Sequence, residues 1–360
     1  MRQNTQDIKH RFIEQQNKTI LKYGLTTNIN LEDFSFKKID LNDDRIDCRI
    51  NTEKIMKVNN LDINFEEKEN RFDEFHLINI KKGITITIPS NKKFENPIKL
   101  ENTVLTNNSI QHITIILNEN SEVTLIDLLQ DKTNGYGYCS RFVEIIAKKN
   151  SKINFFQIQK LNNKKIHYSK KTTTTETNAE VNWNEFILGS KIALSSTSTK
   201  LEGKLSRTKI KSLFFSNKNQ QFDIMAEAIH RGKQTVSELI ARGVVKNDSK
   251  ALFRGNIHIG ENADKSEGGQ SLSILLLDKN SEADTIPQLL IDNEDVKCSH
   301  AVAIGRADEE KMFYLMSRGL SEKEAQNQII NGFFETTIKD INNKQIADDL
   351  RKEIRVKMKK

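Results

Sequence analysis

A short motif that recurs along the chain decides the fold. It reads Asn120-Ser-Glu-Val, Asn150-Ser-Lys-Ile, Asn178-Ala-Glu-Val and Asn280-Ser-Glu-Ala, and the first three copies begin 30 and 28 residues apart. Asparagine tolerates the left-handed backbone conformation that ends a turn, and the small residue after it lets another coil stack closely. The motif therefore predicts a repeated turn that leads into a strand.

The sequence around these motifs alternates between apolar and polar residues. Examples are Ile84-Thr-Ile-Thr-Ile, Ile113-Thr-Ile-Ile-Leu and Ile153-Asn-Phe-Phe, all rich in β-branched or aromatic side chains. Short strands, a recurring turn and a period near thirty favour a mainly β fold, a β-solenoid in which each coil buries its inner face against its neighbours. A β-sandwich with coincidental spacing is the alternative.

Helical patterns flank this β region. Apolar residues at Ile8, Phe12, Ile20 and Leu21 predict one short N-terminal helix. After Gly305 the apolar period becomes helical again. We therefore divide the chain into an N-terminal helical or mixed segment over 1–74, a β core over 75–305 and a C-terminal helical platform over 306–360.

Three helices are predicted in the platform. The first lies between Asp308 and Gly319, the second opens with a capping box at Ser321 and Glu324, and the third carries Ile346, Leu350 and Ile354 at four-residue spacing. They either cap the open end of the solenoid or dock a partner. The side chains predicted to dock a partner are Met312, Leu315, Met316, Ile330 and Phe333.

Charge and hydropathy limit the location and the partners. The net charge is +7, but residues 351–360 hold six Lys/Arg against one Glu, so the rest of the chain is nearly neutral. This tail is interpreted as a solvated helix end, with a phosphate-binding tail on nucleic acid as the alternative. No apolar run approaches the roughly 20 residues of a membrane span, and the first residues show no secretory signal, so a cytoplasmic location is expected.

Common catalytic motifs are missing. The Gly203-Lys204 and Gly232-Lys233 pairs lack the upstream glycine of a phosphate-binding loop, and no nucleophile elbow or zinc-protease motif occurs. The cysteines Cys48, Cys139 and Cys298 are too widely spaced for a disulfide framework or a zinc knuckle. The chain is therefore expected not to be an enzyme.

Cys298-Ser299-His300 is the exception among the cysteine and histidine residues. Residues two apart on a strand share one face, so this thiol and this imidazole could ligate one soft metal ion. Two ligands make only half of a site, and the spacing alone favours a structural pair over a metal pair.

Four stretches of the sequence resemble the SufB/SufD family, the scaffold proteins of the SUF iron–sulfur cluster assembly system. They are Ala241-Arg-Gly-Val-Val, Leu275-Leu-Leu-Asp, Asp295-Val-Lys-Cys-Ser-His-Ala and Phe313-Tyr-Leu-Met-Ser-Arg-Gly. The likeness is strongest over residues 220–335. Within the family the chain resembles the SufD branch, because it carries Cys298-Ser299-His300 where the SufB branch tends to have Glu-His-Glu.

The resemblance implies a right-handed parallel β-helix and a non-enzymatic subunit of a SufBCD complex. It implies a SufB-like partner, a SufC ATPase at the C-terminal helices that drives the complex, and a role in supplying iron for cluster formation at the SufB–SufD interface. Iron or a transient iron–sulfur cluster would be held between Cys298 and His300 and residues of the SufB-like subunit, and no cofactor is expected to bind stably to this chain alone.

Two other functions stay open at this point. One is a SufB-type scaffold that builds the cluster itself, or a homodimer of this chain, although the extra cysteines of that branch are missing. The other is a β-solenoid carbohydrate-active enzyme, which would need clustered carboxylates on the face of the solenoid.

Overall fold

The computed structural model describes most of the chain after residue 70 and the backbone of four short strands before residue 60. The described stretches after residue 70 are residues 71–80, 83–339, 341 and 343–359. Two of the early strands, β1 (Leu21–Lys22) and β2 (Asn28–Ile29), pair with each other in antiparallel orientation. Leu21 therefore lies in a strand, and the rest of the predicted N-terminal helix lies outside the described residues.

The other eighteen strands form two sheets of nine strands each. Sheet 1 contains β3 (Ile46–Ile50), β6 (Ile98–Val104), β8 (Glu122–Asp131), β10 (Lys152–Lys160), β12 (Glu180–Ile187), β14 (Arg207–Ser216), β16 (Val236–Val245), β18 (Glu267–Leu276) and β20 (Lys297–Arg306). Sheet 2 contains β4 (Met56–Asn59), β5 (Gly83–Ile88), β7 (Ser109–Leu117), β9 (Gly137–Ala147), β11 (Lys165–Thr175), β13 (Ile192–Leu201), β15 (Gln221–His230), β17 (Lys250–Ile259) and β19 (Glu282–Ile291).

From β5 onward, successive strands alternate between the two sheets. Each strand pairs in parallel with the strand two places away in sequence, as β10 does with both β8 and β12. This arrangement is a parallel β-solenoid of about eight turns, so the predicted fold class is confirmed. β3 and β4 extend the first coil in antiparallel orientation.

The predicted asparagine turns form a ladder along one corner of the solenoid. Asn91, Asn120, Asn150 and Asn178 all have φ near 57°. Each of the last three amides donates a 2.9 Å hydrogen bond to the asparagine of the preceding coil. The sequence pattern missed Asn91, and it wrongly grouped Asn280 with the others, because Asn280 does not have a positive φ.

The interior between the sheets is mostly apolar, but it also buries polar side chains, among them two ion pairs in the middle coils. Asp127 on β8 accepts from Arg141 on β9, and Glu185 on β12 lies 2.7 Å from the ammonium of Lys171 on β11. All four side chains are almost fully buried. Each pair joins sheet 1 to sheet 2, so polar groups that are costly to bury compensate one another inside the core.

Helix α1 (Arg71–Asn79) packs on the outer face of sheet 2. Phe72 and Phe75 enter an aromatic cluster there, and Asp73 accepts hydrogen bonds from Tyr168 and Lys170 at 2.7 and 2.9 Å. The helix crosses the predicted boundary at residue 74. The three-part division of the chain stays a prediction.

The three predicted C-terminal helices are present as α2 (Glu309–Ser317), α3 (Glu322–Ile338) and α4 (Lys344–Lys359). Asp308 caps α2, and Ser321 and Glu324 form the predicted capping box of α3. Helices α3 and α4 cover an apolar strip on the outer face of sheet 1. No helix in the described ranges is long and apolar enough to cross a membrane.

Helix α4 carries most of the basic tail, and its apolar face is part of the protein core. Leu350 and Ile354 are buried against sheet 1, and the buried Lys357 ammonium donates to Gln220 at 2.8 Å and to the carbonyl of Leu188. Each buried Leu or Ile of this kind contributes about 1.5–3 kcal/mol. The tail is therefore a docked helix with one charged face in solvent, rather than a wholly solvated end.

Candidate functional site

The last coil of the solenoid is open on one side. Strand β20 pairs with β18, and β19 pairs with β17, but neither has a second strand neighbour among the described residues. β20 is largely exposed and β19 is half-buried to exposed, and the exposed large apolar residues on the two strands are Leu290, Ile291, Val302 and Ile304. Monomeric proteins usually protect such long apolar edges, so this end has the properties of an interface.

Cys298 and His300 lie on β20 in this open coil. Their register partners on β18 are Gly268 and Gln270. The thiol is half-buried and packs against the apolar interior, whereas His300 is exposed. Strand alternation places both side chains on the inward-facing side, which no further coil covers. The structure therefore brings together the two predicted metal ligands.

The surroundings of Cys298 favour its protonated form. Partial burial raises the pKa of the thiol above its ordinary value, and a hydrogen bond with the backbone of Gly268 opposes this effect more weakly. The neutral thiol therefore predominates near pH 7. A metal ion that binds the sulfur must displace the proton.

Two donors cannot complete a metal site. No cluster of three or more His, Cys, Asp or Glu residues that could hold a metal ion exists in the described part of the chain. Cys139 is buried on β9, five strands from β19 in sheet 2, and Cys48 lies on β3 at the opposite end of sheet 1. Further ligands for Cys298 and His300 would therefore have to come from outside the described residues of this chain, for example from another molecule.

Helix α2 follows the open coil directly, because only Ala307 and Asp308 separate it from β20. Phe313 and Tyr314 are 75% and 57% exposed, and Met316 is also exposed. The guanidinium of Arg318 lies 5.3 Å from the Tyr314 ring centroid. None of the side chains of α2 is buried, so the helix presents an apolar surface to solvent.

The predicted docking residues fall into two groups. Met312 and Leu315 are half-buried and Met316 is exposed on α2, whereas Ile330 is fully buried and Phe333 partly buried against the outer face of sheet 1. Ile330 thus holds α3 on the solenoid and is not available to a partner. The sequence pattern missed Phe313 and Tyr314, because the amphipathic stripe at Met312 was assumed to face outward.

The buried carboxylates give no support to a carbohydrate-cleaving site. Asp127 and Glu185 are paired with cations inside the solenoid and cannot reach a polymer on its surface. His258 lies half-exposed on β17, with its Nε2 2.8 Å from a carboxylate oxygen of Asp292. The remaining described histidines, except His300, are buried: His76, His112, His167 and His230.

These features define a β-solenoid whose open last coil carries Cys298 and His300, and sequence comparison identifies its class. The SUF system FeS cluster assembly SufBD core domain matches residues 100–333. The chain belongs to the SufBD family of iron–sulfur cluster assembly proteins.

Curated relatives are similar to most of the chain. It is 28% identical over 276 residues to an iron-sulfur cluster assembly SufBD family protein of Staphylococcus epidermidis, and 29% identical over 276 residues to one of Staphylococcus aureus. Each alignment covers 76% of this chain and 59% of the relative. The chain therefore spans about three fifths of the length of the curated relatives it matches.

Proposed function

We propose that the chain is a SufD-like, non-enzymatic scaffold subunit of a cluster-assembling complex. The observation that supports this most directly is the open last coil, where a half-site of one thiol and one imidazole lies beside an unpaired apolar strand edge. A SufB-like subunit would cover this edge and supply the missing ligands. The cytosol, where thiols stay reduced, is the proposed location.

The partner would bind through the strand edge and the apolar residues together. An unpaired strand offers a row of backbone donors and acceptors, and β-strand addition uses these groups for affinity and the side chains for specificity. Val302 and Ile304 project from the same strand that carries the half-site. Formation of the interface would thus complete and enclose the metal ligands in one step.

Iron is the proposed cargo of the shared site. Iron sites and iron–sulfur clusters are held by thiolates, and imidazole replaces some of them in known centres. Because the raised pKa of Cys298 favours the protonated thiol, iron competes with a proton for the sulfur. Iron uptake by the complex should therefore fall progressively as the pH drops from about 8 to below about 6.

A SufC ATPase is the proposed partner of α2. Phe313, Tyr314 and Met316 form the exposed apolar surface, and the two-residue connection means that any displacement of α2 pulls on β20. ATP-driven movement of SufC would in this way open the covered coil.

Co-expression with the SufB-like and SufC-like proteins of the same genome tests the proposal. His300→Ala and Cys298→Ser should lower the iron and sulfide content of the purified complex severalfold without dissociating it. Ser299→Ala is the matched control, since Ser299 lies between them on the opposite strand face. A wild-type iron content in both site variants would refute the site.

The same co-expression tests the docking surface. Phe313→Asp should release the SufC-like protein and retain the SufB-like one, because Phe313 lies on α2 rather than on β20 and its side chain is largely exposed. A complex of two copies of this chain, with no SufB-like protein bound, would support the homodimer instead. Deleting residues 306–360 is not a clean test, since it would expose the apolar strip under α3 and α4.

A further inference from the structure

Pro287 lies inside β19, in the open last coil of the solenoid. The chain contains three prolines, and the other two, Pro89 and Pro97, lie just outside strands. Proline lacks the backbone N–H that a strand residue donates to its neighbour. Prolines within sheets therefore occur mainly on edge strands, with the missing N–H on the side that is not paired.

The pairing of β19 with β17 shows which way the nitrogen of Pro287 points. The N–H of Glu282 donates to the carbonyl of Ser249 at 3.2 Å. At the other end of the strand, the N–H of Asp292 donates to the carbonyl of Ile259 at 2.9 Å. The register between the two strands is continuous, so the N–H groups of even-numbered residues point to β17 and those of odd-numbered residues point to the open edge. The nitrogen of Pro287 therefore faces the open edge.

The open edge of β20 has no such interruption. The N–H of Lys297 donates to the carbonyl of Ser266 at 3.0 Å. The N–H of Ala307 donates to the carbonyl of Leu276, also at 3.0 Å. Because the register with β18 is continuous, the even-numbered residues of β20 offer their N–H groups to the open edge. These residues are Cys298, His300, Val302, Ile304 and Arg306.

A strand that paired with β19 would therefore meet an obstacle at Pro287. The ring carbon bonded to the proline nitrogen occupies the place of the N–H, and it separates the edge donors of Thr285 and Leu289. Strand β20 combines an unbroken row of donors with the exposed apolar side chains of Val302 and Ile304. Since strand addition draws its affinity from main-chain hydrogen bonds, the two edges of the open coil are not equivalent for a partner.

We infer that Pro287 closes the edge of β19 to strand addition, so that a partner pairs with the open coil through one extended strand on β20 and covers β19 with side chains alone. The inference rests on the proposed interface with a SufB-like subunit and adds to it the residue that selects the sheet. The partner strand that fits carries apolar side chains at every second position, opposite Val302 and Ile304. Two copies of this chain stacked end to end cannot continue both sheets, because each brings a closed β19 edge.

Residue-resolved amide hydrogen exchange on the co-expressed complex tests this selection. The edge amides of Val302 and Ile304 should exchange at least about tenfold more slowly in the complex than in the chain alone, because they become hydrogen-bonded. The edge amides of Thr285 and Leu289 should slow by less than about threefold, because no strand accepts from them. Equal slowing on the two strands would overturn the inference.

Two matched proline substitutions give a second test. Val302→Pro removes an edge N–H of β20 without removing a donor to β18, and should weaken capture of the SufB-like protein at least about tenfold. Thr285→Pro makes the same change on the edge of β19 and should stay within about twofold of wild type. Thermal unfolding checks that both variants fold. An equal loss of capture in the two variants would contradict the selection of β20.

Pro287→Val tests the proline itself, because valine restores the missing edge donor. Sedimentation of the full-length variant should show dimers at a concentration about tenfold lower than for wild type, since both sheets can then continue into a second copy. Thr285→Val is the matched control: it changes the neighbouring edge residue without adding an N–H, and should sediment like wild type. If Pro287→Val also sediments like wild type, Pro287 is not what closes the edge.

The outcomes separate this inference from the proposed function. If no complex forms, or if it forms and neither strand gains protection from exchange, the proposed interface itself is wrong. If both strands gain equal protection, the interface stands and the selection by Pro287 is overturned.

Discussion

The middle coils and the last coil are built from the same kinds of strand and turn. They differ in whether their inward-facing polar side chains have partners within the chain. In the middle, Lys171 and Glu185 neutralise each other between the sheets. At the end, Cys298 and His300 lie on the inward side of β20, and no strand of the described part of the chain pairs over them. Polar residues in the middle therefore serve the chain itself, whereas under the proposed function those of the last coil serve an interface with another molecule.

The largest loss of stability is expected when one partner of a buried middle-coil ion pair is removed. Lys171→Met leaves the Glu185 carboxylate buried without its cation and should lower the free energy of unfolding by about 3–5 kcal/mol. Urea denaturation measures this change. The double variant Lys171→Met/Glu185→Gln should recover most of the loss, and a single-variant loss under about 1 kcal/mol would contradict the assigned role.

The corresponding change in the last coil should leave stability almost unchanged. Val302→Lys alters an exposed side chain, so the free energy of unfolding should move by no more than about 0.5 kcal/mol, while capture of the SufB-like protein is lost. A stability loss as large as that of Lys171→Met would mean that the last coil is part of the chain's own core.

A second comparison concerns pH. Burial, and to a lesser extent the charge of His258, lowers the pKa of His230 to about 4, and burial lowers the pKa of His167 to about 3. As the pH falls below about 6.5, these histidines become protonated in the unfolded chain but stay neutral in the folded chain. The free energy of unfolding is therefore unaffected above that pH and decreases as the pH drops toward the folded pKa values. At pH 5 the cost is about 2 kcal/mol for each of them.

Replacing one buried histidine should reduce this pH dependence. In His230→Gln, the difference in unfolding free energy between pH 7 and pH 5 should be about 2 kcal/mol smaller than in wild type, because one proton fewer is taken up on unfolding. Urea denaturation at the two pH values measures it. Ser299→Ala, which leaves the buried histidines in place, should keep the wild-type difference, and the same value in His230→Gln would contradict the argument.

The smallest expected effect is the difference in stability cost between alanine substitutions at two asparagines that occur in the same sequence motif. Asn150→Ala forces alanine into a left-handed conformation and removes two hydrogen bonds of the ladder, those to Asn120 and from Asn178, so it should cost about 1–2 kcal/mol. Asn150→Gly relieves the strain and should cost less. Asn280→Ala should cost under about 0.5 kcal/mol, because its backbone lacks the positive φ. Thermal unfolding of the three variants tests the ranking, and equal costs at the two positions would contradict it.

Local patterns predicted the repeats well because each coil contacts only its neighbours. The asparagine motif, the strand alternation and the capping box of α3 are all fixed by residues a few positions apart. Strand alternation alone also placed Cys298 and His300 on one face. These features needed no knowledge of how distant segments meet.

Features that depend on register between coils could not be predicted. Gln270 lies 30 residues before His300, and only the pairing of β18 with β20 brings them together. The same holds for Lys171 and Glu185, whose contact depends on how the two sheets face each other. Ile330 could not be assigned from the sequence for a related reason. An apolar stripe on a helix predicts that the stripe is buried, but not whether the same chain or a partner buries it.

The asparagine ladder also makes the length of the solenoid adjustable in whole steps. Each rung joins one coil to the next through identical side chains in identical conformations, so a copy of residues 150–177 placed after residue 177 would present the same rung to both neighbours. Such a duplication adds about 4.8 Å along the axis. It would change the distance between α1 and the open coil while leaving every residue of that coil in its original surroundings.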